Sequence, residues 1–369
     1  MNTTQRTRLA QRRQVARHRS IPRIALSLLT AIFALGSYIA DSGAQPARVR
    51  ATTAGIATLT NAPFMVAIAA GFFKDESIDI EFIDAAGGAV AATMVLSNSA
   101  ELGLFTSNSI YRLADKGQST PIIARISTGN NIQMIVSSAF VKAKGIDPRE
   151  PLASRMAKLK GSKIAITSPG AQTDSAIRLM LKLGGLSPDR DIQILPLGTL
   201  TSMYLAFREG RVDGMMTNYP FIVQGIEAGG VSLVDFSRDI DTLTNIISYS
   251  LAANTRWLDT KPEQVRAVLR AVLRGQELID KESQKAMELV YNGWFAKGIE
   301  KSTFEKAWKG LRPLFATVKQ SRITEDLIRR SGIAAETLDG AKYHYQLKDV
   351  ARPEFVNAVL DLGIPGVAR

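Results

Sequence analysis

From residue 49 onward, apolar and polar positions alternate in short blocks, some with a period of two and some with a period near 3.6. Residues 49–53 read as a strand, 64–70 as a helix, 78–83 as a strand of alternating Ile, Asp, Ile, Glu and Phe, 89–96 as a helix and 102–105 as a strand. Pro63 stands where the first helical turn should start, Asn61 is placed to cap it, and Gly71 suits a left-handed stop. Residues 162–220 repeat this order. At a fixed offset of 111, Gly87 falls on Gly198, Gly103 on Gly214 and Thr106 on Thr217, with helix 89–98 over 200–209. Strands alternating with helices predict βαβ units and largely parallel sheets. The expectation is an α/β chain of two similar lobes, each a mixed, mostly parallel sheet flanked by helices, facing across a cleft.

The later strands are expected at 163–167, 192–197, 212–217, 231–235 and 246–253, with 121–127 as an apolar strand that carries Arg125. Residues 262–279 form a helix with Val265, Val268, Leu269, Val272 and Leu273 on one face. Lobe one is expected over 45–131 plus 246–369 and lobe two over 132–245. Residues 283–369 read as helical and are expected to pack on the first lobe.

The first 44 residues differ from the rest. Seven arginines lead into an uncharged apolar run at 24–40, then Ser42-Gly43-Ala44-Gln45. This is the layout of a secretory signal peptide cleaved after Ala44, in competition with an uncleaved anchor of 17 apolar residues. Arg12-Arg13 leaves the twin-arginine route open. The net charge of +12 is split by this segment: its seven arginines stand against Asp41 alone, and the remaining 39 basic residues against 33 acidic ones. A body so mildly basic argues against a nucleic-acid partner and suits steering of small anions. The sequence has no cysteine, so neither disulfides nor a lipid on a terminal cysteine is available. A periplasmic, freely diffusing monomer fits these observations.

In open α/β sheets, ligands bind beyond the carboxyl ends of the strands, so the loops there supply the candidates. Thr58, Thr60 and Asn61 follow the first strand, and Gly87 and Gly88 the second. Ser107 and Asn108 follow the third. In the second unit, residues 167–174 lie between a strand and a helix. Ser168, Gly170, Gln172 and Thr173 there form a candidate anion seat at a helix N-terminus, unless Thr173 or Asp174 merely caps that helix. Asn218 and Tyr219 end the matching third strand, where Tyr219 could stack on a ligand or be a half-buried core residue. Arg125 needs a partner, either an internal carboxylate, the preferred reading, or an anionic ligand.

Enzyme signatures are missing. Only His18 and His344 are present, and no Gly-x-Ser-x-Gly elbow, P-loop or strand-borne Gly-x-Gly-x-x-Gly occurs. The acidic residues show no metal-ligand spacing. No catalytic residue, metal ligand or cofactor is assigned.

Several stretches together resemble the periplasmic solute-binding proteins of ABC importers, more closely the nitrate/sulfonate/taurine-binding group that includes thiamine-pyrimidine-precursor binders. They are Ala67-Ile68-Ala69-Ala70-Gly71-Phe72-Phe73-Lys74 followed by Ile78-Asp79-Ile80-Glu81-Phe82, then Gly87-Gly88, Ala100-Glu101-Leu102-Gly103, Leu159-Lys160-Gly161-Ser162-Lys163-Ile164-Ala165 and Gly210-Arg211-Val212-Asp213-Gly214-Met215. The resemblance covers about residues 48–280. Glu76-Ser77 departs from it, since the family usually has a glycine before that strand. It implies a type II periplasmic-binding-protein fold with two crossover strands, closure by hinge motion, and delivery of a small anion to an inner-membrane permease driven by an ATPase. On the family pattern Thr60, Asn61, Gly88, Ser107, Gly170, Gln172, Thr173 and Tyr219 face the ligand. A sulfonate, nitrate or carboxylate is the expected solute. An aromatic or pyrimidine ligand, a same-fold synthase and a periplasmic sensor are the alternatives, since chemistry does not travel with fold.

Overall fold

A computed structural model describes residues 45–85 and 87–367. The expected signal segment lies outside the described residues. Ten strands form two five-stranded sheets. Those of the first are β1 (Ala47–Thr53), β2 (Ile78–Asp84), β3 (Leu102–Thr106), β4 (Ile122–Ser127) and β10 (Tyr249–Ala253). Those of the second are β5 (Gln133–Ser137), β6 (Lys163–Ile166), β7 (Gln193–Pro196), β8 (Gly214–Thr217) and β9 (Gly230–Asp235). The helices used below are α1 (Ala62–Ala69), α2 (Gly88–Leu96), α3 (Ser107–Asp115), α4 (Gln172–Leu183), α5 (Leu200–Arg208), α6 (Phe221–Glu227), α7 (Pro262–Lys281), α8 (Lys301–Leu311), α9 (Glu325–Asp339) and α10 (Pro353–Leu362).

The strand orders are β2-β1-β3-β10-β4 and β7-β6-β8-β5-β9. In each, three parallel strands meet one antiparallel strand that has arrived from the other half of the chain. The offset of 111 is therefore a structural repeat. Thr106 and Thr217 end the matching strands β3 and β8. Gly87 (φ 153°) and Gly198 (φ 83°) both hold positive φ before the matching helices α2 and α5, a conformation open to glycine without a Cβ clash. The Ser77 that replaces the usual glycine sits at φ 53°. The turn before β2 thus keeps its left-handed shape at some steric cost to a residue with a Cβ.

The chain leaves the first sheet after β4, enters the second at β5, and returns after β9 to β10. These two crossovers are bonded together: Ile246 donates its N–H to the Thr128 carbonyl at 2.9 Å, and Ser248 to Ser127 at 3.2 Å. The first sheet packs on α7, whose apolar stripe is buried as expected, and Phe64 of α1 lies between the rings of Phe73 and Phe82. The second sheet has its own core, including Met134, Ile164, Ile177, Met180 and Leu233.

Two expectations need correction. The C-terminal segment does not pack on the first half alone. One face of α9 puts Leu327, Ile328 and Ala335 into the first core, while Ala334 and Leu338 enter the second. Through Thr303 and Lys306, each 2.7 Å from Glu227 of α6, α8 also reaches the second half. Its residues Phe304 and Trp308 meanwhile pack with Leu59 and Met65. The physical reason is that both helices have apolar or bonding groups on more than one side. The second correction is Arg125. It finds no carboxylate among the described residues and donates to three neutral acceptors: the Ile246 carbonyl at 2.8 and 3.1 Å, the Gln320 carbonyl at 3.3 Å and the Asn245 side chain at 3.1 Å.

Candidate functional site

The candidate residues fall into two polar groups, both spanning the halves of the molecule beside the crossovers. In the first, the Thr58 hydroxyl donates to the Asn218 side-chain oxygen at 3.2 Å and lies 3.2 Å from the Thr60 hydroxyl. Asn131, on the outgoing crossover, donates to Thr60 at 2.9 Å. The Leu59 N–H donates to the Tyr219 carbonyl at 3.2 Å. Loops after β1 and β8, far apart in sequence, are therefore bonded to each other and to the hinge segment.

The second group surrounds a cavity of about 20 Å³ lined by Ser107, Asn108, Asn130, Gln172 and Ser248, with aliphatic residues of the return crossover and α9. The N-termini of α3 and α4 place Ser107, Asn108 and Gln172 there, one from each side. The Ser107 hydroxyl is spent on the Ile247 carbonyl. Asn108 donates to Asp339 at 3.0 Å. Arg112, one turn along α3, donates to Asp339 at 2.8 Å and to the Gly170 carbonyl. Desolvation opposes its charge, but Asp339 outweighs it and holds the guanidinium above its ordinary pKa. Asp339 also accepts from Tyr343. Burial raises that phenol's pKa, and the neighbouring carboxylate helps to bring it to about 12.

Not every candidate faces open space. Asn61 is fully buried. Its side-chain oxygen accepts from the Tyr249 hydroxyl at 3.0 Å and its amide donates to the Gly55 carbonyl at 3.1 Å. It precedes α1 without a side-chain capping bond. Burial holds the Tyr249 phenol well above its ordinary pKa, the cost of a buried charge. The expected anion seat is already occupied: the Asp174 carboxylate takes the Gly170 N–H at 2.8 Å and Arg178 at 2.8 Å. Thr173 turns its hydroxyl back to Thr167, accepting from its N–H at 3.0 Å and lying 2.8 Å from its hydroxyl. Neither Thr173 nor Asp174 is the cap, because α4 starts at Gln172, three residues earlier than the pattern suggested, after Ala171. The Ser168 hydroxyl makes no hydrogen bond among the described residues. Gly87 and Gly88 stand at the N-terminus of α2, with at most Ala54 near either added Cβ. Tyr219 is half-buried, as one of its two readings held, and lies so close to Gly310 of α8 that an added Cβ there would come within 2.5 Å of its hydroxyl. Phe221 is only 5% exposed and faces Tyr204, so it has no free face for a ligand.

Four contributors were missing from the sequence reading. Asn130 and Asn131 stand between two apolar strands at a crossover, a signal that was legible. Arg112 and Asp339 are 227 residues apart and carry no local motif. A wider groove of about 490 Å³ lies between α4 and the end of α9. It draws on the second half and α9 only, whereas the small cavity joins both halves and both crossovers. Position, not size, therefore favours the small cavity as the site. His344 is exposed, with Asp115 as its charged neighbour. No cluster of three or more potential metal ligands occurs among the described residues, and none of their helices is long and apolar enough to cross a membrane.

The sequence profile of the NMT1-like family matches residues 44–291. The bicarbonate-binding protein CmpA of Synechococcus elongatus is 25% identical over 250 residues, which cover 61% of this chain and 52% of that protein. The nitrate/nitrite-binding protein NrtA of a Synechocystis species is 25% identical over 247 residues, covering 63% and 54%. This chain thus matches about half the length of these relatives. A solved structure from Bordetella bronchiseptica shares the fold, with a TM-score of 0.72 at 22% identity over 85% of this chain and 97% of that one.

Proposed function

The chain belongs to the NMT1-like family, and from that membership we propose that it is the periplasmic solute-binding component of an ABC importer for a small anion. The observation that carries this reading is the meeting of polar loops from both sheets at the two crossovers: Thr58 with Asn218, Asn131 with Thr60, and Asn108 and Gln172 around one cavity. Binding between two halves joined by two crossovers suits capture and release by domain movement. The bicarbonate- and nitrate-binding relatives support a small oxoanion as solute. Arg125, a buried guanidinium with no carboxylate partner among the described residues, donates to the carbonyl of Ile246, a residue that also lines the cavity, and so favours a negative occupant. The solute then passes to an inner-membrane permease and its ATPase. The engaged Tyr219 and buried Phe221 weigh against an aromatic or pyrimidine ligand. A same-fold synthase has little to work with in a chain whose sequence lacks cysteine.

The test is a thermal-shift and calorimetric screen of the mature chain with hydrogencarbonate, nitrate, sulfonates, carboxylates and pyrimidines. A ligand that binds only the native state raises the melting temperature by mass action. One of the anions should do so. If none shifts the transition and a turnover appears instead, the transport reading fails. Adjacent permease and ATPase genes separate import from sensing.

A further inference from the structure

We infer that the solute donates a hydrogen bond to Asn108, so that the cleft selects a small oxoanion bearing a hydroxyl over one with no donor. This rests on the solute-binding reading above. Asn108 is 3% exposed. Its amide nitrogen donates to the Asp339 carboxylate at 3.0 Å, which fixes the side chain's orientation, because the flipped amide would set oxygen against oxygen. The opposite atom, Oδ1, is buried and has no hydrogen-bond partner among the described residues. An unmet buried acceptor is unfavourable, and a bound donor removes the deficit.

The rest of the cavity matches an occupant that both donates and accepts. Asn130 uses its side-chain oxygen on the Ile132 N–H at 2.9 Å, and its amide nitrogen has no partner among the described residues. The Gln172 amide and the Ser248 hydroxyl likewise make no side-chain hydrogen bond among the described residues. The lining holds no charged side chain. An acceptor-only anion beside Asn108 would set its oxygen against an acceptor backed by the Asp339 carboxylate. A hydroxyl there replaces that repulsion with a hydrogen bond, while the Asn130 amide is available to an accepting oxygen. The cavity of about 20 Å³ has room for about one water, so a compact occupant needs the least opening.

Hydrogencarbonate and nitrate make the test clean. Both are planar, carry one negative charge and have nearly the same shape; they differ in the central atom and in the O–H donor that only hydrogencarbonate carries. Titration calorimetry of the mature chain, at a pH where hydrogencarbonate predominates, should find it binding at least about tenfold more tightly than nitrate. Asn108→Ala should shrink that ratio to about threefold or less. Equal or tighter nitrate binding overturns the inference, as does a ratio that Asn108→Ala leaves intact. If the variant does not fold, the ratio in the unaltered protein decides. If neither anion binds but a sulfonate or carboxylate does, this inference falls while the solute-binding reading stands; if no solute binds, both fall. A crystal structure with only water beside Asn108 and hydrogencarbonate bound elsewhere also overturns it.

Discussion

Arg125 donates twice to the carbonyl of Ile246, at 2.8 and 3.1 Å, and so ties β4 to the return crossover with a charge that no acid among the described residues neutralises. Burial pushes its pKa down to about 10, and the like charge of Arg330 adds to the effect. Arginine in proteins stays protonated, so the strain appears as lost stability and not as a lost proton. Arg125→Ala removes the burdened charge but leaves the Ile246 and Gln320 carbonyls without their donor. We expect a net loss of about 2–4 kcal/mol in urea unfolding. A stabilised variant would show that the buried charge costs more than its hydrogen bonds return.

Gly275 of α7 lies where the helix crosses α1. An added Cβ would sit 2.5 Å from the Pro63 carbonyl oxygen and 3.2 Å from the Ala67 nitrogen. Both are backbone atoms, so neither can turn aside. Gly275→Ala should cost about 2–3 kcal/mol. Gly298, with nothing within 4 Å of an added Cβ, is the control; alanine there should change stability by under about 0.5 kcal/mol. Similar melting temperatures for the two variants would refute the close-approach argument.

The Arg50–Glu101 pair joins β1 to the start of β3, with contacts of 2.6 and 3.1 Å between the side chains and 2.8 Å from the Arg50 N–H. Burial alone would raise the Glu101 pKa; the hydrogen bonds and charge of Arg50 outweigh it and hold the carboxyl below its ordinary 4.5. A depressed carboxyl contributes stability that is present above 4.5 and lost as pH falls through the lower folded value. Since Arg50 is partly exposed, the contribution is modest. Arg50→Met should lower stability by about 1 kcal/mol at neutral pH, with the gap closing in acid as the pH falls below 4.5. Melts in neutral and acid buffer check this, and an undiminished gap at low pH would rule out the charge pair as its source.

Arg112 holds Asp339 and the Gly170 carbonyl at once, and so bonds α3, α9 and the loop before α4. Arg112→Met leaves Asp339, whose side chain is only 6% exposed, without its cation. The halves should then separate more readily. Small-angle scattering of the ligand-free variant should give a larger radius of gyration, together with a stability loss of about 1–3 kcal/mol. An unchanged radius would mean that this contact does not restrain opening.

Much of the fold was legible because its signals are local. The alternation in β2, the positive-φ glycines before α2 and α5, and the stripe on α7 each follow from a few neighbouring residues. The offset of 111 laid Ser107 on Asn218 at matching strand ends, and the strand-to-helix order alone made Asn108 and Gln172 candidates. The partners that decide their roles were less accessible. Asp174 fills the helix N-terminus that looked ready for an anion, and whether an acid four residues along turns back depends on loop shape. Asp339 meets Asn108 only after the whole chain has folded. Arg125 looked in need of a carboxylate because sequence cannot show three carbonyls converging on one guanidinium.

Two crossovers bonded side by side define a single axis, and two bodies joined along one axis have a simple rotation available. α9 adds a third link: it is seated in both cores at once and is bonded to the return crossover through Ser331 and Arg330. A rotation that separates the two cores must then detach one face of this helix or make it slide over its neighbour. The mechanical freedom is that of a braced frame: Ala334 and Leu338, seated in the second core, hold α9 against any rotation that would part the two cores.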